Sequence, residues 1–182
     1  MQGSKPCKIF PGNLQKPIDK TKEICYNKTE TKERIEKMAT IYFDMDGTIA
    51  DLYGVQNWLE MLKNADATPY EIAKPLIRLC TLARMLNRLQ KKGYKIGVIS
   101  WLAKNSSTEY DEAVSATKRE WLARHLPSVR WDEVNIVSYG YGKFNFAKDV
   151  EDILFDDESR NRKEWTGKAF DATEIINTLK SL

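Results

Sequence analysis

The feature that most constrains the fold is a short apolar run that ends in two aspartates. Residues 40–43 are β-branched and aromatic, and they are followed by Asp44, Asp46 and then Gly47. A run of this kind predicts a strand that is buried on both faces, as in a parallel sheet. Ligands of such sheets lie beyond the carboxyl ends of the strands, which is where the two aspartates stand.

Two carboxylates at the end of a buried strand are costly to desolvate unless a positive group meets them. A divalent ion such as magnesium is the usual candidate, because it prefers oxygen ligands. The alternative interpretation is that Asp44 and Asp46 only end a strand and begin a turn. The ends of the later strands bear on this choice.

The rest of the chain alternates predicted strands with predicted helices. Apolar, β-branched runs predict strands at 94–99, 134–137, 153–155 and 169–170. Helices are predicted within 51–70, at 75–92, 108–126 and 144–150, and from 172 onward. Strands separated by helices imply right-handed crossovers, so we expect an α/β fold with a doubly wound parallel sheet.

The two long predicted helices each have an apolar face at helical spacing. For residues 75–92 this face is predicted to contain Leu76, Leu79, Cys80, Ala83 and Leu86. For residues 108–126 it is predicted to contain Tyr110, Val114, Thr117 and Trp121.

Charge is distributed unevenly along the 182 residues, whose formal net charge is +3. Residues 1–37 hold eight Lys and one Arg against five acids, which gives +4 and leaves the remainder near −1. This segment also has three prolines and few large apolar residues, so we predict a basic, mobile N-terminal segment before a domain at 38–182. Met38 leaves two interpretations open, a native translation start there or a genuine basic arm.

Cysteine usage and hydropathy favour a cytoplasmic protein. The three cysteines, Cys7, Cys25 and Cys80, show no metal-ligand spacing, which favours a reduced compartment. The sequence contains no apolar signal-peptide core and no run long enough to cross a bilayer, so no membrane partner is expected.

Polar residues also follow the later predicted strands. Ser100 ends the second strand, and its hydroxyl and the amide of the following Trp101 can donate to a phosphoryl oxygen. Lys143 ends a glycine-rich loop, and Asp156 and Asp157 follow the fourth strand. Taken singly, these are explained as well by a capping serine, a free loop lysine and a solvated turn. Together they supply the groups for phosphoryl transfer through an aspartyl-phosphate with magnesium.

The chain resembles the haloacid dehalogenase-like (HAD) superfamily of phosphatases over most of residues 40–182. The resemblance depends on four motifs in order, which are Asp44-Met45-Asp46-Gly47-Thr48, Ser100, Lys143 and Asp156-Asp157. It implies a Rossmann-like core with a small cap insertion after the first strand. It also implies a Mg²⁺-dependent phosphomonoester hydrolase.

The resemblance implies a role for each of these residues. Asp44 attacks phosphorus and becomes phosphorylated, while Asp46 protonates the leaving oxygen and then activates water. Magnesium is expected to bind Asp44, the main-chain carbonyl of Asp46, and Asp156, with Asp157 assisting. The phosphoryl group is expected to be held by Ser100, Trp101 and Lys143.

Lys148 is the alternative to Lys143 for the phosphate-binding lysine. It lies eight residues before Asp156, whereas Lys143 lies thirteen before it. Lys143 directly follows the glycines and precedes a predicted helix, so it is the favoured residue.

In such enzymes the insertion after the first motif acts as a cap that selects the substrate. Residues 51–74 leave room for only a small cap, so we expect an open pocket. Aromatic residues expected near its mouth are Tyr53, Trp58, Trp101, Tyr141 and Phe144. They can stack on a nucleobase, although Trp58 and Phe144 are explained as well by anchoring in the core.

Two groups of the superfamily are most similar. The 5′(3′)-deoxyribonucleotidase-like proteins, which include small phage proteins, favour a nucleotide or another small phosphorylated metabolite as substrate. The phosphatase domain of polynucleotide kinase favours 3′-phosphates at nucleic acid ends, although this chain has no kinase phosphate loop. A non-catalytic HAD-like binding module is the alternative from another class. Receiver domains fit the Asp-x-Asp spacing poorly. A Toprim metal site also uses Asp-x-Asp but needs a glutamate at an earlier strand end, and the only earlier glutamates lie in the charged N-terminal segment.

Overall fold

The computed structural model describes residues 39–182. The basic segment predicted at 1–37 and the interpretations of Met38 lie outside the described residues. In the part described, no helix is long and apolar enough to span a membrane.

Seven strands and six α-helices make up this part of the chain. The strands are β1 (Thr40–Phe43), β2 (Ala50–Asp51), β3 (Lys74–Pro75), β4 (Lys95–Trp101), β5 (Glu133–Val137), β6 (Ile153–Phe155) and β7 (Lys168–Phe170). The helices are α1 (Trp58–Lys63), α2 (Thr68–Ile72), α3 (Leu79–Lys91), α4 (Thr108–His125), α5 (Ser159–Glu164) and α6 (Ile175–Ser181). Two 3₁₀ helices cover Lys143–Phe146 and Ala172–Glu174.

Five strands form one parallel sheet in the order β5-β4-β1-β6-β7. The first strand of the chain lies at its centre, where Phe43 is paired with Val98 on one side and Phe155 on the other. The order reverses on either side of β1, as in a doubly wound sheet. The predicted α/β fold class is therefore confirmed.

The sheet has a thick core on one face and a thin one on the other. Ile41 and Phe43 point to the thick core, which contains buried side chains from α3, α4 and α6. Tyr42 points to the other face and packs with Ile99, Leu154 and Trp165. Because successive side chains of a strand alternate, both faces of β1 are covered and its residues are fully buried.

The helix predicted at 75–92 begins four residues later, at Leu79. Pro75 belongs instead to a two-stranded antiparallel ribbon, in which it is paired with Ala50. The amide of Leu76 then donates to the carbonyl of Ile49 at 3.0 Å. This ribbon closes the segment 52–73, which contains α1 and α2 and lies within the small cap predicted at 51–74.

The predicted face of this helix was partly wrong. Cys80 is exposed, and Leu76 lies before the helix with 47% of its surface exposed. The buried face consists of Leu82, Leu86 and Leu89. The register differs because the apolar stripe has its centre one turn nearer the carboxyl end than the sequence predicted.

Candidate active site

The carboxyl ends of β1 and β6 bring three carboxylates together. These strands are neighbours, and the amide of Asp44 donates to the carbonyl of Phe155 at 2.9 Å. Asp44, Asp156 and Asp157 each offer one carboxylate oxygen within 4.8 Å of the others. We call these three residues the carboxylate cluster. They are 112 or more residues apart in the chain except for Asp156 and Asp157, so the sheet itself makes the cluster.

Lys143 neutralises part of this negative charge. Its Nζ donates to Oδ1 of Asp44 at 2.6 Å and to Oδ2 of Asp156 at 2.7 Å, and its side chain is only 2% exposed. Lys143 begins a 3₁₀ helix directly after Gly142, which turns its side chain toward the sheet. Lys148, the alternative residue, forms an exposed ion pair with Glu133 instead. The structure therefore brings Lys143 and not Lys148 to the cluster.

Burial, together with the crowding of the carboxylates, raises the pKa values of two of them. Burial, followed by the charges of Asp44 and Asp156, raises the pKa of Asp157 to about 7. Burial and Asp44 also raise the pKa of Asp156, against the opposing effect of Lys143. Burial disfavours the ammonium of Lys143, but Asp44 and Asp156 outweigh it and raise the pKa of Lys143. One ammonium group does not balance three carboxylates.

A tight turn after β1 holds the cluster together. Gly47 has φ of +78°, a conformation that costs an L residue roughly 1–2 kcal/mol. A Cβ there would meet Oδ2 of Asp157 and, at 2.7 Å, the ring of Tyr53. The hydroxyl of Thr48 accepts from the amide of Asp157 at 3.1 Å, which links the turn to the end of β6.

A second buried cluster lies beside the first, and it contains a lysine that sequence reasoning missed. Nζ of Lys118 donates to Oδ2 of Asp46 at 2.5 Å and to Oγ of Ser100 at 2.8 Å. We call these three residues the Lys118 cluster. Burial raises the pKa of Asp46, and the nearby Lys118 opposes this effect. Thr117 was predicted to lie on the buried face of α4, but Lys118 is the buried residue at this point of the helix.

A signal for Lys118 was present in the sequence. It lies four residues after Val114 and three before Trp121, and both of these are buried on α4. A lysine within an apolar stripe indicates a buried charge that requires partners. Its partners, however, lie 72 and 18 residues away in the chain, where no local pattern points to them.

Trp101 lies between the two clusters. Its indole N–H donates to the carbonyl of Tyr141 at 2.9 Å, and its carbonyl accepts from Lys118 at 2.6 Å. Nζ of Lys143 lies over its ring, 5.0 Å from the ring centre. Because the indole N–H is already bonded, the prediction that Trp101 binds phosphate depends on its main-chain amide.

The donor set fits a hard divalent cation. When all are ionised, the four carboxylates of Asp46 and the carboxylate cluster face two ammonium groups, which leaves two negative charges. Carboxylate oxygens are the ligands that magnesium prefers, and a dication would balance these charges. The carboxylate cluster could share one ion, but the side chain of Asp46 is not part of it and forms an ion pair with Lys118 instead. The predicted contribution of Asp46 is accordingly its main-chain carbonyl.

The carboxylate cluster and Asp46 open into one cavity of about 500 Å³, whereas Ser100 and Lys118 are fully buried and are not part of its lining. Asp44, Asp46, Lys143, Asp156 and Asp157 line its floor. Aromatic residues line its walls, and these are Tyr53, Trp58, Tyr70, Trp101 and Tyr139. Tyr141 and Phe144, which the sequence placed near the mouth, are exposed and are not part of the lining. Tyr70 and Tyr139 take their place, one from α2 and one from the glycine-rich loop.

No protein-family model and no curated protein sequence matches the chain. Solved structures that are similar to this chain include that of D,D-heptose 1,7-bisphosphate phosphatase from B. bronchiseptica complexed with magnesium and phosphate. It is 11% identical, with a TM-score of 0.48 over 79% of this chain and 99% of that chain. The corresponding phosphatase from Burkholderia thailandensis is 14% identical, with a TM-score of 0.44 and the same coverage.

Proposed function

We propose that this chain is a magnesium-dependent phosphomonoester hydrolase that works through an aspartyl-phosphate on Asp44. One observation carries the proposal, which is the meeting of three carboxylates and the Lys143 ammonium at the ends of β1 and β6. A purely structural site of this size would be balanced in charge, because unpaired buried carboxylates cost stability. An excess of two negative charges is explained by a site that holds a cation.

The reaction has two halves. In the first, a carboxylate oxygen of Asp44 attacks phosphorus, the ester P–O bond breaks, and the leaving alkoxide takes a proton from Asp46. In the second, Asp46 takes a proton from water as that water attacks phosphorus. The acyl-phosphate bond then breaks, releasing inorganic phosphate and restoring the Asp44 carboxylate. Atoms and protons balance over the two halves.

The other residues of the site act through charge and orientation. Lys143 holds Oδ1 of Asp44 and would meet the negative charge of the phosphoryl oxygens. The hydroxyl of Ser100 would donate to a phosphoryl oxygen. Magnesium, held by Asp44, Asp156, Asp157 and the carbonyl of Asp46, would supply charge neutralisation for the dianionic substrate.

For the substrate we propose a nucleotide or a phosphorylated metabolite of similar size. The cavity of about 500 Å³ lies within the range of small-molecule sites, and its walls are mainly aromatic and apolar. Aromatic walls suit a flat base, because each stacked base contributes roughly 1–3 kcal/mol. A sugar phosphate without a base would leave these walls unused.

The first test is phosphate release from p-nitrophenyl phosphate with and without magnesium, using Asp44→Asn as the matched control. We expect magnesium-dependent turnover by the wild-type protein. We also expect a loss of at least about 10³-fold in Asp44→Asn, because the nucleophile is removed while shape is kept. No turnover by folded wild-type protein would contradict the enzyme and favour a non-catalytic binding module.

A second test compares substrates at equal concentration. We expect higher kcat/KM for 5′- or 3′-mononucleotides than for sugar phosphates of the same charge. Replacement of Tyr139 by Ala should reduce this preference, since its ring lies 5.2 Å from that of Trp101 in the cavity wall. A preference for a 3′-phosphorylated oligonucleotide over every mononucleotide would instead identify a polynucleotide 3′-phosphatase.

A further inference from the structure

Lys118 is fully buried and has three polar partners at the edge of the cavity. Its Nζ donates to Oδ2 of Asp46, to Oγ of Ser100 and to the carbonyl of Trp101, at distances of 2.5, 2.8 and 2.6 Å. An ammonium group has three N–H donors, and here each has an acceptor. The side chain has no exposed surface. The ammonium group is thus held in one position.

A lysine at this position is costly unless its charge has a use. Burying an ammonium group carries a large desolvation penalty, and an apolar side chain of similar length would fill the same space in α4. The neighbours of Lys118 on the helix, Val114 and Trp121, are apolar core residues. The ring of Tyr70 lies 4.7 Å from Nζ and covers the ammonium from the side of the inserted segment. All of this fixes one charge beside Asp46.

We propose that Lys118 is a positioning residue that orients Asp46 and Ser100 for phosphoryl transfer. This inference rests on the proposed function, because it assigns Lys118 a part in that same reaction. Lys118 does not line the cavity, so it acts through its two partners and not by contact with substrate.

The contact with Asp46 selects which carboxylate oxygen is available. Oδ2 accepts from Lys118, whereas Oδ1 accepts no hydrogen bond within residues 39–182. With Oδ2 fixed in this way, Oδ1 is the oxygen free to exchange a proton with the leaving group. Without Lys118, the carboxyl group of Asp46 could rotate. Its proton would then no longer point at the leaving oxygen, and general acid catalysis requires that alignment.

The contact with Ser100 sets the direction of its hydroxyl. Because Oγ accepts from Lys118, the hydroxyl hydrogen of Ser100 is left to donate elsewhere. In the proposed reaction we assign a phosphoryl oxygen as the acceptor of this hydrogen. One ammonium group thereby prepares both the acid and a phosphate donor.

Dependence on the leaving group distinguishes positioning from a purely structural role. The value of kcat/KM reports the steps up to formation of phospho-Asp44, during which the leaving oxygen takes its proton. An alkyl phosphate needs that proton, whereas p-nitrophenyl phosphate releases a stable phenolate and needs it far less. We would measure kcat/KM for a series from alkyl to nitrophenyl phosphates with wild type and Lys118→Met.

We expect Lys118→Met to lose about 10²-fold for alkyl phosphates and less than about tenfold for p-nitrophenyl phosphate. Asp46→Asn should show the same steep dependence, and the double variant should be no steeper than Asp46→Asn alone. Lys148→Met, which removes a lysine with an exposed ion pair, should match wild type. A loss of equal size for every leaving group would overturn the inference.

Lys118→Arg is a second variant in case the methionine variant does not fold. Its guanidinium keeps the positive charge but cannot place one nitrogen on three acceptors. We expect a steeper leaving-group dependence than wild type here too, and a uniform loss in this variant would also overturn the inference. If the wild-type protein hydrolyses none of the phosphates in the series, the proposed function is wrong. If wild type is active and the losses are uniform, only the role of Lys118 is wrong.

Discussion

The two lysine sites at the carboxyl edge of the sheet differ in their balance of charge. Lys143 meets two carboxylates directly and a third nearby, whereas Lys118 meets one carboxylate, a hydroxyl and a carbonyl. The carboxylate cluster is therefore left negative, while the Lys118 cluster is neutral and closed. An unbalanced cluster is built to receive a cation, and a balanced one is built to hold its members in place. The two arrangements are neighbours, and Asp46 is the member of the Lys118 cluster that lines the cavity.

Of the substitutions that test this difference in charge balance, removal of Lys143 should cause the largest loss of stability and activity. Lys143→Met leaves Asp44 and Asp156 buried side by side without a cation, so we expect a loss of about 3–5 kcal/mol in metal-free stability. Activity should fall roughly 10²–10³-fold, as when a preorganised charge is removed. Chemical denaturation and p-nitrophenyl phosphate hydrolysis measure the two effects.

The matched control is Lys148→Met, whose ion pair with Glu133 is exposed. We expect less than about 1 kcal/mol of change and unaltered activity. Equal effects of the two substitutions would remove the distinction between the cluster lysine and the loop lysine.

Magnesium should stabilise the protein through the carboxylate cluster. At a concentration about 100 times its Kd, a bound ion adds about 2.7 kcal/mol to the free energy of unfolding. Thermal unfolding with and without magnesium measures this gain. We expect most of it to be lost in Asp156→Asn and kept in Ser100→Ala, which lies in the Lys118 cluster. A gain that survives in Asp156→Asn would place the ion elsewhere.

The turn at Gly47 offers a way to disturb the carboxylate cluster from the backbone. Gly47→Ala should cost about 1–3 kcal/mol, from the positive φ and from contact of the new methyl group with Asp157. Gly140 has φ of +80° with no atom near its Cβ position, so Gly140→Ala should cost only the backbone part. Denaturation of both variants isolates the contact. If the two costs are equal, Asp157 is able to move away freely.

A further expected effect is a pH dependence of stability in the metal-free protein. Asp157 has a pKa of about 7 in the folded state and about 3.9 when unfolded, so the folded state binds more protons between these values. The free energy of unfolding should therefore fall as pH rises from about 4 to about 7. Asp46 and Asp156 change it in the same direction, since their pKa values are also raised.

Denaturation across this pH range in EDTA tests the expectation. Asp157→Asn should make the curve flatter, and saturating magnesium should oppose the fall, because the ion favours the ionised carboxylates. A stability that rises over this pH range in the metal-free protein would show that the carboxylates are not crowded.

The carboxylate cluster was predictable because each member directly follows a strand. Neighbouring parallel strands end at the same edge, so Asp44 and Asp156 had to be close once β1 and β6 were paired. Ser100 follows from the same rule through β4. The position of Lys143 did not follow from this rule, because it lies in a loop and its side chain could have pointed in several directions.

Other members of the site depended on contacts that no local pattern contains. Lys118 is in the middle of a helix, and Tyr70 comes from a short helix in the inserted segment that was not separately predicted. The ribbon of β2 and β3 also escaped prediction, because strands of two residues have no measurable periodicity. Cys80 was placed on the wrong face of α3 because its apolar stripe was extended too far toward Pro75.

The sequence by itself determined the layered α/β fold and the edge of the sheet at which polar groups collect. Alternation of apolar runs and helical patterns is local, and the ends of parallel strands coincide whatever the details of packing. Only the tertiary structure decided which ammonium group meets which carboxylate, and which aromatic rings form the cavity wall. Those choices depend on side-chain directions across elements that are distant in the chain, where contact follows from packing and not from spacing.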